Sequence, residues 1–256
     1  MLAAACARTG QAGRESCAAV IRPRMGQTPC VGTPAELPIG QPVEGGPARP
    51  PERRRLQGRY VALESVDPDG HAEALWRASH DGSAEADRLW TYMSYGPFPD
   101  VGDMHGWLSG NAGSDDPLFL AVIGPRGPCG MASFMNVDPV MRHLELGNIW
   151  YAPSTQRTEA NTEVAFLMLE EAFERLGHRR VEWKCDALNE RSRAAALRLG
   201  FTFEGVFRQH MVVKGHNRDT AWFAMLDHEW PTAREAFERW LAADPADRPS
   251  LASIRD

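Results

Sequence analysis

Gln156-Arg157-Thr158-Glu159-Ala160-Asn161-Thr162-Glu163 joins two segments of opposite periodicity. Before it, His143-Leu144-Glu145-Leu146-Gly147-Asn148-Ile149-Trp150-Tyr151 reads as a strand. After it, Val164-Ala165-Phe166-Leu167-Met168-Leu169 opens an apolar helix, expected over about 161–176 and closed by Gly177. A strand–loop–helix of this kind leaves unpaired backbone N–H groups at the helix N-terminus. Those donors and the helix dipole together favour an anion. Thr158, Asn161 or Thr162 can cap the helix.

Outward from this junction the chain alternates between elements. Residues 59–64 read as a strand, and Pro68 starts a helix through Ala72, Leu75, Trp76 and Ser79. An aromatic loop, 90–99, leads to a short helix around 104–108. A hairpin follows (118–123 and 129–135), with its turn in the Gly- and Pro-rich 124–128. Past the helix come a strand (180–185), a helix (189–199, closed by Gly200) and a second hairpin (203–213 and 219–226, turn 214–218). A C-terminal helix is expected at 232–242. The order β-α-α-β-β-β-α-β-α-β-β points to a mixed sheet with helices on both faces. Three regions result: 1–55, a disordered or extended N-terminal segment rich in Gly, Pro, Ala and Arg; 56–230, one folded domain; and 231–256, a C-terminal helix and polar tail.

Bulk properties narrow the classes. The chain has 256 residues, 43% hydrophobic and 24% charged, with net charge −6. This suits one globular domain with extras. The basic residues are dispersed, so no nucleic-acid footprint is expected. The five cysteines (Cys6, Cys17, Cys30, Cys129, Cys185) form no C-x-x-C pair and suggest neither a disulfide framework nor a zinc site. No apolar run is long enough to span a membrane, and a reducing cytoplasm fits. The eight histidines show no metal-binding spacing, so no metal is expected.

A second stretch carries weight: Asp186-Ala187-Leu188-Asn189-Glu190-Arg191-Ser192, an Ala-rich helix, then Gly200-Phe201. With the 156–163 loop it resembles the acetyl-CoA-binding core of the GCN5-related N-acetyltransferase (GNAT) superfamily. It is most similar to the branch of ribosomal-protein N-terminal acetyltransferases. The resemblance covers roughly 57–230. It implies an α/β (α+β) fold: a mixed, mostly antiparallel central sheet flanked by helices, with a V-shaped splay between two central strands. At the loop, Glu159 and Asn161 stand where the family usually has small residues.

The resemblance implies acetyl-CoA as co-substrate and a primary amine as acceptor, either a protein N-terminus or a small-molecule amine. Transfer would be direct, within a ternary complex, by a monomer or homodimer with no nucleic-acid or membrane partner. Gln156, Arg157, Thr158, Glu159, Ala160, Asn161 and Thr162 would line the cofactor's diphosphate. Trp150 and Tyr151, following a bulge at Gly147-Asn148, would also bind the cofactor, and Asn189 would bond the pantetheine arm. Ser192 would serve both in binding and as proton donor to the leaving thiolate. Glu145 is the candidate base, with an ion-pair partner as its structural alternative. Tyr92, Tyr95 and Phe98 would shape the acceptor groove. Two other readings stay open: a catalytically inactive acyl-CoA-binding or regulatory module of the same fold, and an unrelated small-molecule-binding domain.

Overall fold

The computed structural model describes residues 37–255. The disorder expected for 1–36, with Cys6, Cys17 and Cys30, lies outside the described residues. The chain divides into a unit ending at Glu44 and one beginning at Gly45. Residues 37–44 are exposed and carry no regular structure.

The unit from Gly45 is organised by one eight-stranded sheet. Its strands are β1 (Leu56–Gln57), β2 (Ala62–Ser65), β3 (Leu118–Gly124), β4 (Gly127–Asp138), β5 (His143–Tyr151), β6 (Arg180–Asp186), β7 (Thr202–Val213) and β8 (His216–Leu226). The order across the sheet is β1-β2-β3-β4-β5-β6-β8-β7. Every adjacent pair is antiparallel except β5 and β6, which run parallel. A parallel pair needs a crossover, and the apolar helix after the 156–163 loop supplies it.

Helices cover both faces. On one side lie α1 (Pro68–Ser79), α2 (Ala84–Leu89) and α3 (Val101–Asn111). On the other lie α4 (Glu159–Glu170), α5 (Glu190–Leu199), α6 (Trp230–Ala242) and the short α7 (Leu251–Arg255). Strand β3 shows why its sequence is apolar throughout. Leu118, Leu120 and Val122 join the core beneath α4, α5 and α6, whereas Phe119 and Ala121 join the core beneath α1 and α3.

Local chemistry adjusts several expected boundaries. Thr158 caps α4 by accepting from Ala160 N, so the helix starts at Glu159, earlier than its apolar pattern suggests. It continues as a π-turn, Glu171–Arg175. Gly177, at φ 76°, then turns the chain away in the left-handed region. Helix α2 has no counterpart in the expected order; Ser83 caps it by accepting from Ala86 N at 3.1 Å. The β3–β4 turn is tighter than 124–128, because Gly124 already pairs with Gly127.

The folded unit is also longer than 56–230. Ala48 N donates to Pro139 O and Arg49 N to Leu176 O, each at 2.8 Å, so the chain ahead of β1 is tied down. Trp230, Ala233, Ala236 and Phe237 of α6 and Leu251 of α7 are buried in the main core. A third tie comes from Glu163, buried in the first turns of α4. Its carboxylate accepts from three successive backbone N–H groups: Arg59 at 2.7 Å, Tyr60 at 2.6 Å and Val61 at 2.7 Å. Gly58 leaves the room, since a Cβ there would collide with that carboxylate.

Candidate active site

Strands β5 and β6 pair only at His143↔Arg180, Leu144↔Val181 and Glu145↔Glu182. Beyond these the two strands part. Gly147 to Tyr151 on β5 and Trp183 to Asp186 on β6 then line opposite sides of a cavity of about 1060 Å³. The parting is built into β5. Met131 pairs with Trp150 and Ser133 with Gly147, so β5 carries one more residue than β4 across this interval. The extra residue shows at Asn148, at φ 53°. Asn tolerates this left-handed conformation better than a β-branched residue does. Its Nδ2 donates to Ser133 Oγ at 2.9 Å.

Glu145 lies where the strands diverge. It is 5% exposed, accepts from Asn136 Nδ2 at 2.6 Å and meets Lys184 Nζ at 3.0 Å. Burial pushes its carboxyl above the usual range, and the nearby Lys184 charge opposes this only in part. Lys184 Nζ also meets Glu182 Oε2 at 2.8 Å and sits 3.8 Å from the centroid of the Trp222 ring. The ring face adds a cation–π attraction. Burial works against the charge of Glu182, but hydrogen bonds from Lys184 and Arg180 outweigh it and hold that carboxyl low. Two carboxylates on neighbouring strands are thereby driven apart in proton affinity, and the one in the cavity is the more basic.

The opposite wall comes from β6 and α5. Asn189 caps α5, its Oδ1 accepting from Ser192 N at 3.1 Å. Ser192 Oγ accepts from Trp183 Nε1 at 3.0 Å, so its O–H remains a donor, with the Cys185 sulfur as its neighbour. Cys185 also lines the cavity, and burial raises its thiol pKa. Cys129 is raised by burial too, so neither described thiol is poised as a thiolate nucleophile.

The 156–162 loop is split by the early helix start. Gln156 and Asn161 line the cavity. Gln156 donates to Tyr151 O at 3.1 Å, and Arg157 is exposed at φ 61°. Ala160 is buried, and Thr162 is buried with its hydroxyl accepting from Arg198 Nη1 at 3.0 Å. Glu159 pairs with Arg248 at 2.9 Å. By helix geometry the first amides of α4, from Glu159 to Asn161, have no backbone partner within the helix; Ala160 N donates to Thr158 Oγ1 and the Glu159 N–H faces its own carboxylate, which leaves the Asn161 N–H open.

The aromatic residues divide. Tyr92 lines the cavity, and its hydroxyl donates to Leu188 O at 3.2 Å, bridging the aromatic loop to the loop before α5. Tyr95 and Phe98 do not line it. Tyr95 stacks on Trp107 at 4.2 Å and Phe98 meets Trp90 edge-on at 5.5 Å; Phe98 belongs to the core beneath α1 and α3, and Tyr95 packs against it. Trp150 and Tyr151 are buried in the wall.

Several lining residues carry no signal in the sequence: Asn136, Lys184, His210, Arg218 and Trp222. All sit on strands brought together by long-range pairing. Only the alternation of Glu182 and Lys184 on β6, which puts both on the face of Glu145, is readable beforehand. Four buried polar atoms on lining residues, Trp150 Nε1, Tyr151 Oη, Arg218 Nε and Trp222 Nε1, have no hydrogen-bond partner. A wall shaped around a polar ligand would leave atoms in that state. A splayed strand, orphaned wall atoms and the open first-turn amide at Asn161 together fit an extended molecule with a diphosphate at one end. Among the described residues no group of side chains could hold a metal, and no helix is long and apolar enough to cross a membrane.

Comparison with known proteins agrees with this geometry. The profile for "Acetyltransferase (GNAT) domain" matches residues 62–202. A GCN5-related N-acetyltransferase from Brucella melitensis is 42% identical and superposes with a TM-score of 0.79, over 83% of this chain and 98% of that one. A GNAT-family protein from Chromobacterium violaceum, solved as a probable acetyltransferase, is 35% identical with a TM-score of 0.69, over 77% and 98%. "Putative ribosomal N-acetyltransferase YdaF" of Bacillus subtilis is 35% identical over 102 residues, 40% of this chain and 55% of that protein. The alignment thus spans about half the length of that curated relative. The GNAT family uses acetyl-CoA as acyl donor. The chain belongs to the GNAT acetyltransferase family.

Proposed function

We propose that the protein is an acetyl-CoA-dependent N-acetyltransferase that moves an acetyl group to a primary amine by direct transfer in a ternary complex. The observation that carries this reading is the placement of Glu145 at the vertex of the β5–β6 splay, inside the same cavity as Asn189 and Ser192.

In this reading the α4 amides and the 156–162 loop hold the diphosphate, and the unpaired edge of β5 takes the pantetheine arm as an added strand. Asn189 contributes its free amide N–H groups. Backbone N–H groups of β5 beyond the bulge stabilise the carbonyl oxygen as it gains charge. Glu145 takes the proton from the incoming ammonium, directly or through one water, and burial gives it the basicity this requires. Ser192 Oγ returns a proton to the departing thiolate. The raised thiol pKa values of Cys185 and Cys129 argue against a covalent acyl-cysteine. The name of the Bacillus relative points to a ribosomal amine as acceptor, and a protein N-terminus is the amine proposed here. Tyr92 and the exposed face of the aromatic loop would contact it.

Release of CoA thiol on a panel of N-terminal peptides and small amines tests the reading. Amine-dependent release is expected. Glu145→Gln should lower kcat by roughly 10²–10⁴-fold. Because burial raises the Glu145 carboxyl, the base form fills only above the ordinary value of about 4.3, so the acid limb of kcat/KM should lie above that value and vanish in the variant. Tight acetyl-CoA binding with no thiol release on any amine would instead favour the binding-only module.

A further inference from the structure

Glu159 presents a problem for a diphosphate at the start of α4. Its carboxylate occupies the first helical position, where like charge would repel the ligand. The structure also holds the answer, in a residue that follows α6 and lies beyond the family match at 62–202. Arg248 Nη1 donates to Glu159 Oε1 at 2.9 Å, and its Nη2 donates to Ala243 O at 3.0 Å and Tyr60 Oη at 3.3 Å. Its guanidinium lies 4.2 Å from the centroid of the Trp240 ring. The side chain is only 7% exposed, and its Nε is buried without a partner. The segment carrying it is fixed at both ends: α6 is buried in the core, and α7 is anchored by Leu251 and by Arg255 Nη2 donating to Leu197 O at 3.4 Å. The carboxyl of Glu159 is held low by its own backbone N–H and by Arg248, with Arg59 adding a smaller attraction. It is therefore ionised at neutral pH.

We propose that Arg248 is a positioning residue for the acyl donor: it fixes the Glu159 carboxylate and cancels its charge, so that the N-terminus of α4 still accepts a diphosphate. This rests on the placement of acetyl-CoA proposed above. A buried arginine tied to one acid, a carbonyl, a phenol and an indole face has little freedom to release that acid. The pair therefore brings no net charge to the helix start. Arginine suits the task because its planar fork serves the acid and the backbone at once while stacking on the indole.

Titration calorimetry with CoA on the full chain tests this, comparing wild type, Arg248→Gln, Glu159→Gln and the double variant. S-acetylpantetheine, which lacks the diphosphate, is the control, read as KM. Arg248→Gln should weaken CoA binding by about tenfold at low salt and less at high salt, as exposure of one carboxylate near an anion predicts. The double variant should return to within about threefold of wild type, and Glu159→Gln alone should bind CoA more tightly than wild type, since the cation then faces the diphosphate unopposed. The KM for S-acetylpantetheine should not change across the four. Unchanged CoA affinity in Arg248→Gln, or a double variant no better than the single, overturns the proposal and leaves Arg248 a packing residue. Should Arg248→Gln fail to fold, Glu159→Gln decides alone, and equal or weaker CoA binding overturns it. Wild-type protein that does not bind CoA would instead remove the underlying placement, and this inference with it.

Discussion

Asn189 shows how one side chain can carry two duties on different atoms. Its oxygen is taken up in capping α5, while its amide N–H groups remain available to the cavity. The two duties separate by substitution. Asn189→Ala loses both, and should cost about 1 kcal/mol of stability from the cap while raising the KM for acetyl-CoA. Asn189→Asp keeps the cap and loses only the donor, so it should restore the melting temperature but not the KM. A KM that recovers with the cap would make Asn189 purely structural. The segment around Asn189 is legible because capping, helix and Gly200 stop are set by neighbours in sequence. Glu145 is legible as a residue but not as an environment. Lys184 and Asn136, which tune it, arrive from other strands.

Among the elements, α4 is legible as the apolar crossover but not in its first residue. Apolar periodicity starts a helix at its first buried position, whereas the cap at Thr158 starts it earlier. The bulge in β5 is visible as Gly147-Asn148 breaking the alternation, and the structure puts the positive φ on Asn148. Glu163 closes the stretch that reads as a ligand loop, yet it is the clamp between α4 and the chain entering β2. Gln in its place turns one acceptor into a donor facing the Arg59 N–H. Glu163→Gln should therefore lower stability by about 1.5–3 kcal/mol, seen as a fall of roughly 4–10 °C in Tm. Gly58→Ala, which pushes a methyl group into the same carboxylate, should act in the same direction. A Tm within about 1 °C of wild type in both would show that the three N–H groups find other acceptors.

At the scale of the whole molecule, the compact unit extends past both ends read from composition. Gly and Pro content marks 1–55 as one segment, but Ala48 and Arg49 bond to Pro139 and Leu176. Removing residues 1–44 should leave Tm within about 2 °C of the full chain, whereas removing 1–55 should lower it by roughly 4–10 °C through the lost backbone and Arg54–Glu171 contacts. Equal melting of the two truncations would place the boundary at residue 56 after all. The C-terminal helix is visible in the sequence; its burial in the main core is not, since an amphipathic helix does not announce what it covers.

By itself the sequence determined the order of the elements apart from the short α2, the strand–loop–helix with its helix N-terminus, the Asn189 cap and the kinship these imply. Each of those depends on residues within a few positions of one another, where backbone preference and periodicity act directly. Tertiary structure alone decided which charges meet. Lys184 reaches Glu145, Arg248 reaches Glu159, and Tyr95 and Phe98 turn away from the cavity into an aromatic core. Such contacts are fixed by strand register and helix packing across tens of residues, and no local pattern encodes the partner.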